Sequence, residues 1–280
     1  MPAFAIELER FGFRTTVVMG EGDPEKKTEN VLPNIGVLKD ADVVVFFSRF
    51  MKLPDSEWQA IEDYLKSGKP VIGLRTSTHA FDIPGDREYH RWSWRNGQWD
   101  GGFGRQVMGE TWIDHHGGHG WQSSSGIIVE EASGHPILQG IKDGDVWDPS
   151  DVYTVRLPLP KGCTPLMNGR VLSGMDPADG PCEVVKRDDE TTFDKNDPMM
   201  PIAWTNVRKS ESGKKQRVFS STFGASQSYT REGSRRLLVN ACYWCLGMQS
   251  QIKPNLTVDL VGDYQPTQFG FNKHTPDLKP

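Results

Sequence analysis

The sequence predicts an α/β fold with a doubly wound parallel sheet, because strand-like and helix-like segments alternate over residues 13–74. Three segments are rich in β-branched and aromatic side chains and are expected to form strands: 13–19, 41–47 and 70–74. Between the last two, residues 54–66 repeat apolar side chains at helical spacing after an acidic first turn. The run 41–47 is apolar throughout most of its length, which is typical of a strand buried on both faces.

The remaining elements fit the same class. Residues 3–10 and 232–248 have the pattern of helices, and five further segments are expected to be strands: 126–130, 151–157, 169–173, 201–205 and 217–222. A doubly wound sheet usually begins with a strand that leads into the first helix. Since this chain begins in a helix, we expect that it lacks the usual first strand.

The composition is that of a globular protein. The chain has 280 residues and a net charge of -5, with 36% hydrophobic and 25% charged residues, which suffices for a core. Its longest strongly apolar run, residues 43–47, is far shorter than the roughly 20 residues of a membrane span. A pI near 5.8 argues against nucleic-acid binding. We expect one α/β domain over residues 1–250 and an irregular, proline-rich arm over residues 251–280.

The N-terminal segment and the cysteines bear on the compartment. The first 20 residues carry several charges and no signal-peptide pattern, so the chain as given is expected to be soluble and cytoplasmic. If an N-terminal signal has been lost with the first strand, export to the periplasm is the alternative. Cys242 and Cys245 form a Cys-x-x-Cys pair without a second pair, which indicates buried thiols rather than a zinc site.

Charged side chains follow two of the predicted strands. Arg49 comes after the strand at 41–47, and Arg75 follows the strand at 70–74. Because parallel strands bind ligands beyond their carboxyl ends, the two arginines are candidates to bind a carboxylate, a phosphate or sugar hydroxyls. The alternative is a structural role in capping carbonyls. His79 follows on the same turn and is a candidate general acid or base, or else a hydrogen-bonded structural histidine.

The segment 109–120 holds the densest group of functional side chains. Three histidines and two carboxylates lie within it: His115, His116, His119, Glu110 and Asp114. A metal-free polar substrate pocket is the favoured interpretation, with His116 and Glu110 catalytic and with Asp114 and His115 binding substrate. A metal site and a purely structural loop are the alternatives. The three histidines are weak metal candidates, because their spacing matches no standard zinc pattern.

Tryptophans crowd the stretch just before this segment. Trp92 and Trp94 lie among arginines and an asparagine, a combination suited to stacking on sugar rings and binding their hydroxyls, and Trp112 follows within residues 109–120 as a further candidate to bind the ring. The alternative is an oligomer contact or a covering flap, since tryptophan and arginine are also enriched at interfaces.

Several short segments together resemble one protein family. They are, in chain order, 43–47 (VVVFF), 68–75 (GKPVIGLR), 79–81 (HAF), 101–104 (GGFG), 135–137 (HPI), 201–204 (PIAW), 217–219 (RVF) and 235–241 (RRLLVNA). This order resembles the ThuA-like (trehalose-utilisation) family, and most of all its planctomycete-type members. The resemblance implies the flavodoxin-like fold of class I glutamine amidotransferases, a first strand before the first helix, and a role in carbohydrate metabolism.

The amidotransferase chemistry of that superfamily does not fit these residues. Its nucleophile is a cysteine in a Gly-x-Cys-x-Gly turn after a strand. If Gly73 is placed on the first glycine, Arg75 stands at the cysteine and Ser77 at the second glycine. Many ThuA-like proteins carry a histidine after a late strand where this chain has Ala225. The sequence therefore predicts no glutaminase activity.

The favoured function is an enzyme acting on a sugar or a keto-sugar glycoside. In this hypothesis His79 or His116 moves the proton, Glu110 or Asp114 orients that histidine, and the two arginines bind substrate oxygens. A non-catalytic carbohydrate-binding module and a metal-dependent hydrolase are the alternatives. We expect a small carbohydrate as the ligand, with no cofactor, no nucleic acid and no membrane span, and leave a homo-oligomer open.

Overall fold

A mixed sheet of seven strands forms the centre of the computed structural model, which describes residues 2–21, 30–186 and 192–268. The strands of these residues are, in chain order, β1 (Val44–Phe46), β2 (Val71–Leu74), β3 (Asp114–His115), β4 (Ser124–Ile128), β5 (Trp147–Asp148), β6 (Tyr153–Thr154), β7 (Cys163–Val171), β8 (Val185–Lys186), β9 (Thr192–Phe193), β10 (Met200–Lys209) and β11 (Lys215–Ser221). The sheet has the order β1-β2-β11-β10-β7-β4-β5, and β3-β6 and β8-β9 form separate ribbons.

The predicted α/β class is confirmed, but the sheet is parallel at one end only. β1, β2 and β11 run parallel to one another, whereas β10, β7, β4 and β5 are added in antiparallel pairings. The cause lies partly in the short turn between β10 and β11, where Lys209 pairs with Lys215. Only antiparallel neighbours can be joined by so few residues. β10 and β11 thus form a hairpin.

Residues 13–19 are not a strand, contrary to the sequence prediction. The ring of Phe13 packs against Tyr243 with the ring centroids 5.3 Å apart, and the Phe13 N–H donates to the Leu8 carbonyl. The segment therefore packs through its side chains instead of pairing in a ladder. Its β-branched composition alone does not make a strand, because strand preference depends on a pairing partner and on burial. The predicted strand 151–157 is likewise reduced to the short β6.

The three α-helices occupy the predicted segments. They are α1 (Pro2–Glu9), α2 (Asp55–Ser67) and α3 (Glu232–Cys245). α2 begins after Pro54 and ends at Gly68. The φ of Gly68 is 78°, a left-handed conformation that glycine adopts without the steric cost of a Cβ. Both cysteines of the Cys-x-x-Cys pair are buried free thiols in α3, as predicted.

The two faces of the parallel end pack against different helices. Val71 of β2 packs with Trp58 and Ile61 of α2, whereas the next residue, Ile72, packs with Leu237 of α3. Because successive strand side chains point to opposite faces, the helices cover both sides of β2. The two helices therefore hold the parallel strands, whose ends carry the candidate site, from both faces of the sheet.

The segment after α3 packs on the domain. Ile252 and Val258 are 3% and 2% exposed and join the core around α3, and the Tyr264 hydroxyl donates to the Ser226 carbonyl at 2.6 Å. Residues 269–280 of the predicted arm lie outside the described residues. Among the helices of the described residues, none has the length and apolar character needed to cross a membrane.

We expect Trp58→Ala to lower the free energy of unfolding by about 3–5 kcal/mol, because it leaves a large cavity in a close-packed core. Trp58 is fully buried and its ring stacks on those of Tyr89 and Trp92. Urea unfolding followed by circular dichroism measures the change. The matched control is Trp121→Ala at a position 59% exposed, where the loss should stay below about 1 kcal/mol. Equal losses in the two variants would contradict this account.

Candidate functional site

The candidate site begins at the carboxyl end of β2. Arg75–His79 form one short 3-10 turn directly after this strand, and Arg75 has a positive φ of 49°. The segment after β1 stays beside this turn, since the Phe50 N–H donates to the His79 carbonyl at 3.1 Å. The ends of the two parallel strands thus bring Arg75, His79 and Phe50 to one edge of the sheet, where open α/β sheets bind ligands.

Two glycines, Gly102 and Gly104, let the segment that contains them pack closely against the backbone around the site, including this turn. A Cβ on Gly104 would lie 2.1 Å from the Thr78 carbonyl oxygen. A Cβ on Gly102, whose φ is 49°, would lie 2.1 Å from the Ser93 carbonyl oxygen. Because both clashes would be with backbone atoms, a larger residue at Gly104 must displace the turn that holds His79, and one at Gly102 must displace the chain next to Trp94.

A buried ion pair crosses from this turn to the loop before β6. Nη2 of Arg75 lies 2.8 Å from Oδ1 of Asp151, and Nη1 donates to the carbonyls of Asp151 and Thr222 at 2.6 and 2.7 Å. The guanidinium also covers the face of the Tyr153 ring, with its central carbon 3.9 Å from the ring centroid. Both ionic side chains are almost completely buried. Arg75 therefore ties the ends of β2 and β11 to the residues around β6.

The same carboxylate contacts two imidazoles. Nδ1 of His115 lies 2.5 Å from Oδ2 of Asp151, and Nδ1 of His119 lies 2.8 Å from Oδ1. Burial alone would raise the pKa of the Asp151 carboxyl, but the charge of Arg75 and the hydrogen bonds from the two histidines hold it below its usual value. The His115, His119 and Asp151 ligand atoms lie within 4.8 Å of one another, so these residues could hold a metal ion.

The β3–β6 ribbon sets the position of these imidazoles. His115 pairs with Tyr153 across the ribbon, and the N–H groups of His116 and Gly117 both donate to the Val152 carbonyl, at 2.9 and 3.1 Å. Successive strand residues point to opposite sides. His116, the residue directly after β3, continues this alternation: His115 contacts Asp151 and Tyr153, whereas His116 directs Nε2 to the Lys195 carbonyl.

Aromatic rings surround the imidazole of His79. The ring centroids of Phe50, Trp94, Trp112 and Tyr153 lie 4.9, 6.2, 5.0 and 5.6 Å from that of His79. Burial lowers the pKa of the His79 imidazole to about 3, and the positive charges of Arg49 and Arg75 add to the effect. His79 is therefore uncharged at neutral pH. We call His79, these four rings, Arg75, Asp151, His115 and His119 the strand-end site.

The structure brings together five of the ten residues predicted to be catalytic or to bind substrate. Arg75, His79, Trp94, Trp112 and His115 all belong to the strand-end site. Arg49 is exposed beside it, with its guanidinium carbon 5.0 Å from the centroid of the Phe50 ring.

Two of the residues predicted as catalytic lie elsewhere. His116 directs Nε2 to the Lys195 carbonyl at 2.6 Å and packs on Phe193. Glu110 is fully buried in ion pairs with Arg105 and Arg156, the second at 3.0 Å. The structure gives both residues structural partners that satisfy their polar atoms.

Trp92 and Asp114, predicted to bind substrate, also have other surroundings. Trp92 is 1% exposed and stacks on Trp58 in the core below α2. Asp114 is exposed, and its carboxylate accepts the N–H of His115 at 2.8 Å. Sequence proximity to the histidines could not separate these two residues from Trp94 and Trp112.

Sequence reasoning missed three members of the site: Phe50, Asp151 and Tyr153. Asp151 and Tyr153 lie on a predicted strand, but nothing in the sequence links that strand to residues 109–120. Phe50 directly follows Arg49 at a strand end, so its place in the sequence could have identified it as a member of the site.

The turn after β2 has the backbone position of a nucleophile but no nucleophile on it. Its positive φ is the strained geometry typical of such turns, yet the side chain there is the arginine bound to Asp151. Ser77 is fully buried, and its hydroxyl donates to the Phe46 carbonyl at 2.7 Å. The amide of Ala225, the position where a family histidine was expected, lies 3.3 Å from Oδ2 of Asp148.

We expect Arg75→Met to lower the free energy of unfolding by about 3–5 kcal/mol, because it leaves the Asp151 carboxylate buried without its cation. A double-mutant cycle with Asp151→Asn, measured by urea unfolding, isolates the interaction. The double variant should lose less than the sum of the two single losses. Additive losses would show that the two charges do not depend on each other.

The His79 pKa predicts a pH dependence of stability. His79 has an ordinary pKa of 6.5 when unfolded and one of about 3 when folded, so the unfolded chain binds the proton more strongly. Stability is therefore full above about pH 6.5 and falls as the pH drops towards 3. The variant His79→Gln should lose less unfolding free energy than the wild type between pH 6.5 and pH 4, as measured by denaturant unfolding at each pH. Parallel profiles would contradict the buried, uncharged state.

Comparisons with known proteins agree with this fold. Residues 24–245 match the family model described as "ThuA: Trehalose utilisation". A ThuA-like protein from Bacteroides uniformis is similar in structure, with a TM-score of 0.51, 16% identity, and coverage of 90% of this chain and 88% of that chain. For a ThuA-like protein from Parabacteroides merdae the TM-score is 0.52, the identity 12%, and the coverage 88% and 83%.

These identities support the fold and not a shared activity. A search among curated proteins finds no significant match. The family model, however, spans most of the sequence, from residue 24 to the end of α3. This chain is therefore a member of the trehalose-utilisation (ThuA) family, with the flavodoxin-like, glutamine amidotransferase-like α/β fold of that family.

Proposed function

We propose that this protein is an enzyme acting on a sugar or keto-sugar glycoside, and that it binds this substrate at the strand-end site. The observation that carries the proposal is an uncharged, buried His79 imidazole enclosed by four aromatic rings, two of which also contact His115, one of the two imidazoles held by the Asp151 carboxylate. Membership of a family described by trehalose utilisation supports a sugar as the substrate class.

The aromatic rings supply the surface for a sugar ring. Trp112 and Phe50 are half-buried, so part of each ring is accessible. Aromatic faces pack on the C–H faces of sugars, and indole N–H groups bind their oxygens. The buried Trp112 indole N–H has no hydrogen-bond partner among the described residues. A bound hydroxyl that displaced the neighbouring atoms slightly would satisfy it.

His79 is in its proton-accepting form at neutral pH, but its low pKa makes it a weak base, so negative charge on the reacting substrate would have to stabilise the imidazolium. Its low pKa keeps the imidazole in the neutral form, and its Nδ1 lies 3.2 Å from the Thr78 hydroxyl, which fixes the ring. A neutral imidazole can take a proton from a substrate hydroxyl or from a carbon next to a keto group. The nearby positive charge of Arg49 would stabilise the negative charge that then develops on the substrate.

Arg75 has a positioning role in this proposal. Nη1 and Nη2 are occupied by two carbonyls and by Asp151. The arginine that supplies charge at the exposed edge is Arg49. The function does not include glutamine hydrolysis, because the side chain on the turn after β2 is Arg75 rather than a thiol.

The test is binding and turnover of keto-disaccharides, measured by calorimetry and by product analysis. We expect Trp112→Ala to weaken binding about tenfold through the lost stacking. His79→Gln should keep most of the affinity and lower kcat about 100-fold or more, because it removes proton transfer. His135→Gln is the matched control, since His135 packs on Trp244 and not on the strand-end site.

Three outcomes separate the alternatives. Turnover that falls in His79→Gln but not in His135→Gln supports the enzyme. Binding without turnover in the wild type would indicate a carbohydrate-binding module and overturn the proposal. Neither binding nor turnover with a set of keto-disaccharides and their reduced forms would remove the sugar from the proposal altogether.

A further inference from the structure

The strand-end site contains a cluster, His115, His119 and Asp151, that has no role in proton transfer by His79. His115 and His119 both direct Nδ1 to the carboxylate of Asp151, at 2.5 and 2.8 Å, and their ring centroids are 4.9 Å apart. Each residue offers one donor atom, and all of these atoms lie within 4.8 Å of one another. Ligands at roughly 2.0–2.2 Å from a tetrahedral zinc ion stand about 3.4 Å apart, so each imidazole would move less than about 1 Å away from the Asp151 carboxylate to admit the ion.

We propose that His115, His119 and Asp151 bind a divalent transition-metal ion, with zinc as the best match. Two imidazoles and one carboxylate form a borderline nitrogen and oxygen donor set that suits zinc and related metals. Three protein ligands leave at least one coordination position for water or a substrate oxygen, which distinguishes this arrangement from a closed structural site. The inference adds a metal to the proposed sugar site and does not rest on the sugar.

The protein holds two of the three donors in place before any ion arrives. Arg75 fixes the Asp151 carboxylate through the contact of Nη2 with Oδ1. The pairing of β3 with β6 fixes His115 opposite Tyr153. His119 follows four residues later, after Gly117, whose N–H bonds the Val152 carbonyl. Such supporting contacts orient metal ligands and raise their affinity.

The three proposed ligands differ in solvent exposure, which indicates from which side an ion would enter. The Asp151 side chain is fully buried, whereas the side chains of His115 and His119 are 41% and 36% exposed. The ion would therefore lie between a fixed carboxylate below and two accessible imidazoles above. Its free coordination position would face the accessible side of the two imidazoles, where the half-buried ring of Trp112 borders His115.

Metal binding competes with hydrogen bonding of the same atoms. When Nδ1 donates to Asp151 the proton sits on Nδ1, whereas coordination through Nδ1 requires a neutral ring with its proton on Nε2. The two states thus differ in tautomer. Because Arg75 already neutralises Asp151, we expect the affinity to depend on the two imidazoles more than on the carboxylate.

The neighbouring His116 provides a stringent control. It lies next to His115 in the sequence, but its Nε2 is bound to the Lys195 carbonyl at 2.6 Å. A loop that bound metal merely because it is rich in histidine would use all three. The proposed site uses His115 and His119 and leaves His116 out.

The experiment is equilibrium dialysis of the chelator-treated full chain against Zn²⁺, with metal content measured by mass spectrometry. We expect one zinc per wild-type chain, and affinities about 100-fold weaker or worse for His115→Ala and His119→Ala. His116→Ala and His135→Ala should bind as the wild type does. Circular dichroism checks that each variant is folded. In a ¹⁵N spectrum of the wild type, zinc should shift the two imidazoles to the Nε2–H tautomer.

Three results would overturn the inference. They are no stoichiometric zinc in the wild type, zinc retained by the His115→Ala/His119→Ala double variant, and a loss in folded His116→Ala equal to that in His119→Ala. Because no sugar is present, zinc binding without any keto-disaccharide binding would uphold the metal site and overturn the proposed function. Sugar turnover that chelation does not affect, in a chain that binds no zinc, would uphold the proposed function and overturn the metal site.

Discussion

The buried ion pair between Arg75 and Asp151 is the interaction on which the strand-end site depends. Each charge would be costly to bury alone, and each is tolerated in the interior because the other is there. The geometry completes the compensation, since the guanidinium donates to two carbonyls and one carboxylate oxygen and lies on the Tyr153 ring. The pair thereby joins the turn after β2, the end of β11 and the residues before β6 into one rigid unit.

The chemistry of the site follows from this unit. A fixed Asp151 leaves its oxygens in reach of His115 and His119, so one carboxylate orients two imidazoles. The positive charge of Arg75 contributes, after burial, to keeping His79 uncharged. Two kinds of histidine therefore lie side by side. One is enclosed by aromatic rings, and the other two are exposed and in contact with an anion.

The turn after β2 carries an arginine at the position where the amidotransferase superfamily has its cysteine nucleophile. The strained turn after a parallel strand is where the amidotransferase superfamily presents its nucleophile. Here it carries Arg75, which points into the protein and serves as a support. After the late strand, the amide of Ala225 contacts the carboxylate of Asp148 at the position where the family resemblance implies a histidine in many members. Family membership thus defines the architecture, and function has to be argued from the side chains that occupy the site.

The sequence by itself determined the features that arise from local pattern. Helical spacing located α2 and α3, the apolar runs located β1 and β2, and their parallel order placed Arg75 and His79 at a ligand-binding edge. Tertiary structure decided between neighbours: His115 faces the site and His116 does not, and Trp94 lines it while Trp92 fills the core. It also brought in Asp151, which lies 36 residues beyond His115. The reason is physical, because local pattern records the period of an element, whereas the partner of a side chain depends on which distant segments the sheet brings together.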